Sequence, residues 1–159
     1  MLEKERMLED GAKLMIDWEK IKNVVNSNVG VVPVVVQDNN SREVLMMGYV
    51  NQEAFEYSLK NKVASFWSTS RNIFWVKGET SGNYFKLIDV RINCEQNSLL
   101  YLVETADGFG ACHSKDKNGK YRKTCFYQRI VGINDLFLNF VNDDEDELHL
   151  LYEGGEGHG

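Results

Sequence analysis

Three cysteines, Cys94, Cys112 and Cys125, and one histidine, His113, set directly after the second of them, are the residues of this chain with the most chemistry to offer. An odd number of thiols, in a chain that opens on the mixed-charge stretch Met1-Leu2-Glu3-Lys4-Glu5-Arg6 with no apolar leader, favours free thiols or metal ligands over a disulfide framework. The cysteines lack the Cys-x-x-Cys pairing that announces structural zinc, so on spacing alone buried free thiols are the plainer reading. Two details pull the other way. Cys112-His113 stands in a loop after Gly108 and Gly110, and Cys125 follows a basic stretch at what reads as the start of a strand. A thiolate, an imidazole and cationic side chains in one place suit metal-assisted attack on a phosphorylated substrate, with His113 passing protons near neutral pH.

A second cluster is Lys77-Gly78-Glu79-Thr80-Ser81-Gly82-Asn83, in which glycines, hydroxyls and a lysine share a tight turn. Turn amides and hydroxyls can cradle phosphate, although a simple hairpin connection would use many of the same residues. Trp67, Phe74 and Trp75 could stack on a base, but aromatic residues in strands more often belong to the core.

These groups need elements to position them, and the pattern predicts an α+β fold, mostly antiparallel sheet with short helices. Leu14, Met15, Trp18, Ile21, Val24 and Val25 recur at helical spacing and predict a helix ending near Asn26-Ser27-Asn28. Strands are expected at residues 29–36, 43–50, 63–68, 73–77, 84–94, 98–104 and 124–131. Asn51 should cap a short helix over 52–60, with Phe55 and Leu59 on one face. Residues 109–123 form a long polar connection carrying Lys115, Lys117, Lys120, Arg122 and Lys123 against Asp116 alone, the kind of loop that is usually functional or mobile.

With 159 residues, 43% of them hydrophobic, the chain suits one core with little beyond it. A net charge of −6 argues against broad nucleic-acid affinity, and much of it comes from the run at residues 143–147. No stretch is apolar and long enough for a membrane helix, so a cytoplasmic protein is expected. After residue 132 come an apolar stretch, 133–141, then the acidic run, residues 148–152 and a Gly-rich end, which read as an appendage.

At these residues the chain resembles phosphoribosyl-AMP cyclohydrolase. The resemblance rests on Val36-Gln37-Asp38, Glu43-Val44-Leu45-Met46, Asn51-Gln52-Glu53-Ala54, Phe66-Trp67-Ser68-Thr69-Ser70-Arg71, Trp75-Val76-Lys77-Gly78-Glu79-Thr80-Ser81-Gly82, Ala111-Cys112-His113 and Cys125-Phe126-Tyr127, in that order. It divides the chain into an N-terminal helical extension (1–28), a cyclohydrolase-like domain (29–132) and an acidic C-terminal extension (133–159), with no fused pyrophosphohydrolase domain. It implies the third step of histidine biosynthesis, opening of the adenine ring at its N1–C6 bond. It also implies an intertwined homodimer in which Cys94 of one chain joins Cys112 and Cys125 of the other around one zinc, with His113 as the proton-transfer residue. Arg71, Lys77, Glu79, Thr80, Ser81 and Gly82 become candidates for substrate and phosphate, Arg71 for its bidentate geometry.

Three features depart from the family pattern. Its magnesium motif, Asp-Cys-Asp-x-Asp, reads Asn93-Cys94-Glu95-Gln96-Asn97 here, so one carboxylate remains for a hard cation. The interval from Cys112 to Cys125 is longer than the family's short loop, with residues 117–122 looking inserted. The terminal extensions have no counterpart in the family core. Two alternatives therefore stay open: a related zinc cyclohydrolase or deaminase acting on another modified purine nucleotide, and a non-catalytic nucleotide-binding homologue with structural zinc.

Overall fold

The structure, a computed structural model, describes residues 3–11, 13–106 and 110–141; the acidic run and the Gly-rich end lie outside the described residues. In chain order the elements are α1 (Glu3–Asp10), α2 (Lys20–Val25), β1 (Val32–Asp38), β2 (Val44–Val50), α3 (Gln52–Asn61), β3 (Ser65–Ser68), β4 (Ile73–Val76), β5 (Phe85–Ile92), β6 (Leu99–Thr105), β7 (Gln128–Val131) and β8 (Phe137–Phe140). This is the expected α+β chain with few short helices and mostly antiparallel strands. It divides into two units, residues 18–125 and residues 1–17 with 126–159.

The larger unit is built on a sheet ordered β2-β1-β6-β5. β1 pairs antiparallel with β2 and β5 pairs antiparallel with β6, whereas β1 and β6 run parallel. The β1–β6 ladder begins at Val34, one residue after Pro33, so the missing proline amide falls outside it. Val34, Val36 and Asp38 turn to the buried face while Val35 between them is exposed, the period of two that a half-covered strand requires.

β3 and β4 form a separate hairpin whose Phe66 is fully buried and stacks on Trp75 at 4.8 Å. Gly48 of β2 admits that ring, since a Cβ there would stand 2.8 Å from it. Burial of a phenylalanine of this kind stabilises the unit by roughly 1.5–3 kcal/mol. Helix α3 starts as expected: the Asn51 side chain accepts from the Ala54 amide at 2.9 Å. Its buried residues are Ala54 and Ser58, with Phe55 packed against the core and Leu59 left 46% exposed. Small residues let the helix approach β3 closely enough for Ser65 Oγ to donate to the Ala54 carbonyl and for Ser58 and Ser65 to share a hydrogen bond, both at 2.7 Å.

Two local expectations need correction. The helix read from Leu14 onward is confined to α2, which buries no residue, and Trp18 is 80% exposed. A short helix draws most of its stability from burying a stripe, and here Ile21 and Val25 of that stripe stay exposed among the described residues. The strand expected from residue 124 starts at Gln128 instead. Thr124 Oγ1 donates to the Val44 carbonyl and the Cys125 amide to the Leu45 carbonyl, both at 2.7 Å, which bends the chain onto β2 first.

In the smaller unit α1 is followed by Lys13, which bridges to Phe137, and the β7–β8 hairpin is joined back by Tyr127, whose hydroxyl donates to the Glu9 carbonyl at 2.8 Å. The unit boundaries fall at Asp17/Trp18 and Cys125/Phe126 for the same reason: α2 is tied to the larger unit by Lys20, which donates to Thr69, whereas residues from Tyr127 onward bond to the N-terminal segment.

Candidate functional site

The sheet of the larger unit has two ends, and the thiols are divided between them. One end gathers Val32, Val50, Ile92 and Leu99 and is capped by the β5–β6 turn that carries Cys94. At the other end lie Asp38, Val44, Phe85 and Thr105, and Cys125 joins there through its bond to Leu45. β2 and β5 are separated by two strands, about 14 Å of sheet width, before the distance along the strands is added. Cys94 therefore does not join the other two thiols within one chain, and among the described residues no group of three His, Cys, Asp or Glu is placed to hold a metal ion.

Cys112 and Cys125 do meet. The chain leaves β6, and Ala111 and Cys112 donate their amides to the carbonyls of Lys123 and Arg122 at 2.9 and 3.1 Å. Gly110 makes this possible: its backbone lies so close to the Arg122 carbonyl that a Cβ would collide with it. The Arg122 guanidinium donates to Ser114 Oγ at 3.0 Å, which leaves the single Ser114 hydroxyl proton for Cys112 Sγ at 2.9 Å. Sequence reasoning missed Ser114 and Arg122; only the pairing of the two arms shows that they act on Cys112.

The hydrogen bond shared with Cys125 is the largest influence bringing Cys112 down to about 5, and Ser114 adds to it while burial opposes. Cys125 is pushed up, first by the same shared proton. Both shifts run in the direction set by a hydrogen bond between the two sulfurs, which favours the thiolate at Cys112 and the thiol at Cys125. Lys77, a candidate for substrate phosphate, is part-buried beside the pair. Its ammonium donates to the Ala111 carbonyl at 2.7 Å and lies 5.4 Å from the Phe85 ring centre, with burial lowering its pKa and the Cys125 and Cys112 sulfurs resisting.

The remaining candidates are dispersed. His113 is exposed beside the pair and its charge favours the Cys112 thiolate. Glu79, Thr80 and Ser81 are exposed on the β4–β5 turn, which closes on itself through the Gly82 amide and the Gly78 carbonyl at 2.7 Å. Arg71 occupies the β3–β4 turn at the opposite end of that hairpin, some 13 Å of strand from Lys77. Phe74 and Trp75 pack against the core.

The Cys94 turn is closed by its own amides. Asn93 Oδ1 accepts from the Asn97 and Ser98 amides, both at 2.9 Å, Asn93 Nδ2 donates to Asn97 Oδ1 at 2.6 Å, and Asn97 Nδ2 donates to Glu95 at 3.2 Å.

A family profile described as phosphoribosyl-AMP cyclohydrolase matches residues 46–127, the stretch that carries all three thiols and the Lys77 turn. The chain belongs to the phosphoribosyl-AMP cyclohydrolase family. A phosphoribosyl-AMP cyclohydrolase of Archaeoglobus fulgidus is 45% identical over 103 residues, 65% of this chain and 88% of the relative. One of Methanosarcina acetivorans is 45% identical over 118 residues, 74% of this chain and 88% of the relative. A histidine biosynthesis bifunctional protein HisIE of Photobacterium profundum is 40% identical over 110 residues, 66% of this chain and 50% of that longer protein.

For a cyclohydrolase of this family the donor set at Cys112 and Cys125 suits zinc, since two adjacent sulfurs, one of them favoured as the thiolate, are what a borderline-soft cation binds. The Asn93-Glu95-Asn97 turn does not suit magnesium in the same way. Both amide oxygens are engaged within the turn and a single carboxylate is left for a cation that prefers several hard oxygens. No helix among the described residues is long and apolar enough to cross a membrane.

Proposed function

We propose that this chain opens the adenine ring of phosphoribosyl-AMP with a zinc ion held by Cys112 and Cys125 of one subunit and Cys94 of a second, in a homodimer. The activity itself comes with the family: the chain is a phosphoribosyl-AMP cyclohydrolase, a hydrolase of histidine biosynthesis. The manner of catalysis rests above all on the Cys112–Cys125 pair, which shares one proton while Cys94 stands at the far end of the sheet. A three-sulfur site then calls for a second copy of the chain. A cytoplasmic setting, in which thiols stay reduced, belongs to the same reading.

When bound, zinc supplies Lewis acidity that lowers the pKa of water toward neutrality. The residues do the rest. Lys77 holds the Ala111 carbonyl and with it the start of the Cys112 loop, and its charge compensates the sulfurs beside it. Ser114, fixed by Arg122, keeps Cys112 oriented. His113 takes one proton of the attacking water as its oxygen bonds to C6 and returns it to N1, which keeps the electron pair as the N1–C6 bond breaks; the second water proton, on the C6 hydroxyl, leaves to solvent with the positive charge of the ring, and C6 becomes the carboxamide carbonyl. The ring is prepared for this attack because a substituent at N1 leaves it cationic and C6 electrophilic. No step is drawn through magnesium.

The test is to incubate purified, zinc-loaded protein with phosphoribosyl-AMP and follow absorbance, with metal-stripped protein as the comparison. Ring opening only by the loaded sample is expected. Failure of the loaded sample to open the ring overturns the reading. Sedimentation of the same sample reports whether it is a dimer.

A further inference from the structure

The segment between the two paired cysteines is a built hairpin with a charge pattern that thiol chemistry alone does not use. Its arms are held by Arg122 donating to the Ser114 carbonyl at 3.1 Å, by a bridge between Lys115 and Tyr121, and by Asp116 donating to the Lys120 carbonyl at 2.8 Å. Its tip is a turn in which Asp116 Oδ1 accepts the amides of Asn118 and Lys120 at 2.8 and 3.0 Å, with Gly119 at φ 78°.

Five cations and one carboxylate occupy residues 115–123 of a chain whose net charge is −6. Three of the cations have local work. Lys115 lies 4.9 Å from the centre of the Tyr121 ring, Arg122 holds Ser114, and Lys123 pairs with Glu43 at 3.0 Å. The other two, Lys117 and Lys120, are exposed at the tip, and among the described residues neither ammonium has a hydrogen bond or an ion pair. The lone carboxylate, Asp116, is turned inward to its own amides, where Lys120 also favours its charge.

We propose that Lys117 and Lys120 form a phosphate-binding tip that holds one phosphomonoester of the substrate. The proposal deepens the function above and rests on phosphoribosyl-AMP as substrate. Such a molecule carries two phosphates, and an acidic protein must offer local cations to accept them. The cations expected to do so are committed elsewhere or far away: Lys77 is bonded to Ala111 beside the sulfurs, and Arg71 is at the other end of its hairpin. Lys117 lies five residues beyond Cys112 and Lys120 five before Cys125, roughly 17 Å of extended chain at most. By bond counting, a ribose phosphate extends roughly 8–11 Å from the reacting purine carbon, and a lysine side chain adds several ångströms more, so the tip is within reach. Two flexible ammonium groups grip such a dianion as point charges without fixing its orientation, which leaves alignment of the ring to the metal end.

The experiment compares the parent, the double variant Lys117→Gln with Lys120→Gln, and a control of equal charge, Lys60→Gln with Lys86→Gln, all zinc-loaded. In the tip variant KM should rise by about tenfold with kcat within about twofold, the pattern of lost ground-state binding. In the parent KM should climb with salt, and this slope should flatten in the tip variant. Binding of AMP, followed by calorimetry, should weaken in the tip variant alone. An unchanged KM, or an equal rise in the control, overturns the proposal. Should the parent fail to turn over phosphoribosyl-AMP, the proposed function fails by itself, and the AMP titration still decides for or against the tip.

Discussion

Cys112 and Cys94 occupy opposite ends of one sheet in opposite conditions. Cys112 is 6% exposed, receives the Ser114 hydroxyl and shares a proton with Cys125. Cys94 is exposed on a turn whose polar side chains bond to one another and to backbone amides, leaving the sulfur to face outward. The difference teaches that within one chain two of the three thiols are brought together in a bonded, shielded setting while the third is left on an exposed turn at the far end of the sheet.

The harshest way to break this comparison is to remove a sulfur from either end. Cys112→Ser and Cys94→Ser should both lose bound zinc and fall to background turnover while staying folded, despite the contrast in their surroundings, because a site left with two sulfurs loses affinity and geometry. Mixing the two variant chains should restore one complete site per mixed dimer, read as zinc by mass spectrometry. A full zinc complement in Cys94→Ser would falsify the shared site.

Next in size is His113→Ala, which should keep its zinc and lower turnover by roughly 10²- to 10⁴-fold. Activity within a few-fold of the parent would mean that His113 only lines the loop, and a large loss of zinc would make it a ligand. Smaller again, Ser114→Ala removes the hydroxyl that steadies Cys112 and should weaken zinc by roughly 10- to 100-fold in a chelator competition. Unchanged affinity would show that the prepared end owes nothing to Ser114.

The shared proton also makes a pH prediction for metal-free protein. Unfolded, both thiols titrate near their ordinary value of 9.0; folded, Cys112 releases its proton near 5 and Cys125 holds its own past the ordinary value. Between these limits the unfolded chain binds more protons, so this pair's contribution to stability grows as pH rises and is lost as pH falls toward 5. Above the ordinary value the folded pair holds the extra proton and the trend reverses. Melting of the metal-free parent should therefore rise between about pH 6 and pH 8, with a shallower rise in Cys112→Ser. Parallel curves would argue against the shared proton. The faintest effect belongs to the Cys94 turn: the parent should bind magnesium weakly, and Asn93→Asp with Asn97→Asp should tighten it measurably in a calorimetric titration. No gain in the double variant would show that the turn cannot be converted into a cation site.

Much of the scaffold was legible in the residues because it is locally coded. Alternating valines, the Asn51 cap and the polar turns place β1, β2, α3 and the later strands within a few residues of their observed bounds. The α2 segment was misjudged for a non-local reason: helical spacing marks a face that could be buried but says nothing of whether a partner surface reaches it. The site was legible in its residue types and only partly in its roles. Lys77 reads in the sequence as one more cation of a glycine-rich turn, and only the fold shows that it also holds the Ala111 carbonyl beside the two sulfurs.

By its sequence alone the chain determined its family, its strand and turn chemistry, and the list of sulfur and imidazole groups available for catalysis, since these depend on residue type and short-range order. Only the tertiary structure decided which of those groups meet. Cys112 and Cys125 come together because Gly110 lets one arm lie against the other, and Cys94 is held apart because β1 and β6 stand between the edge strands of the sheet. Contact between residues far apart in sequence is set by close packing and strand order, which no local pattern encodes.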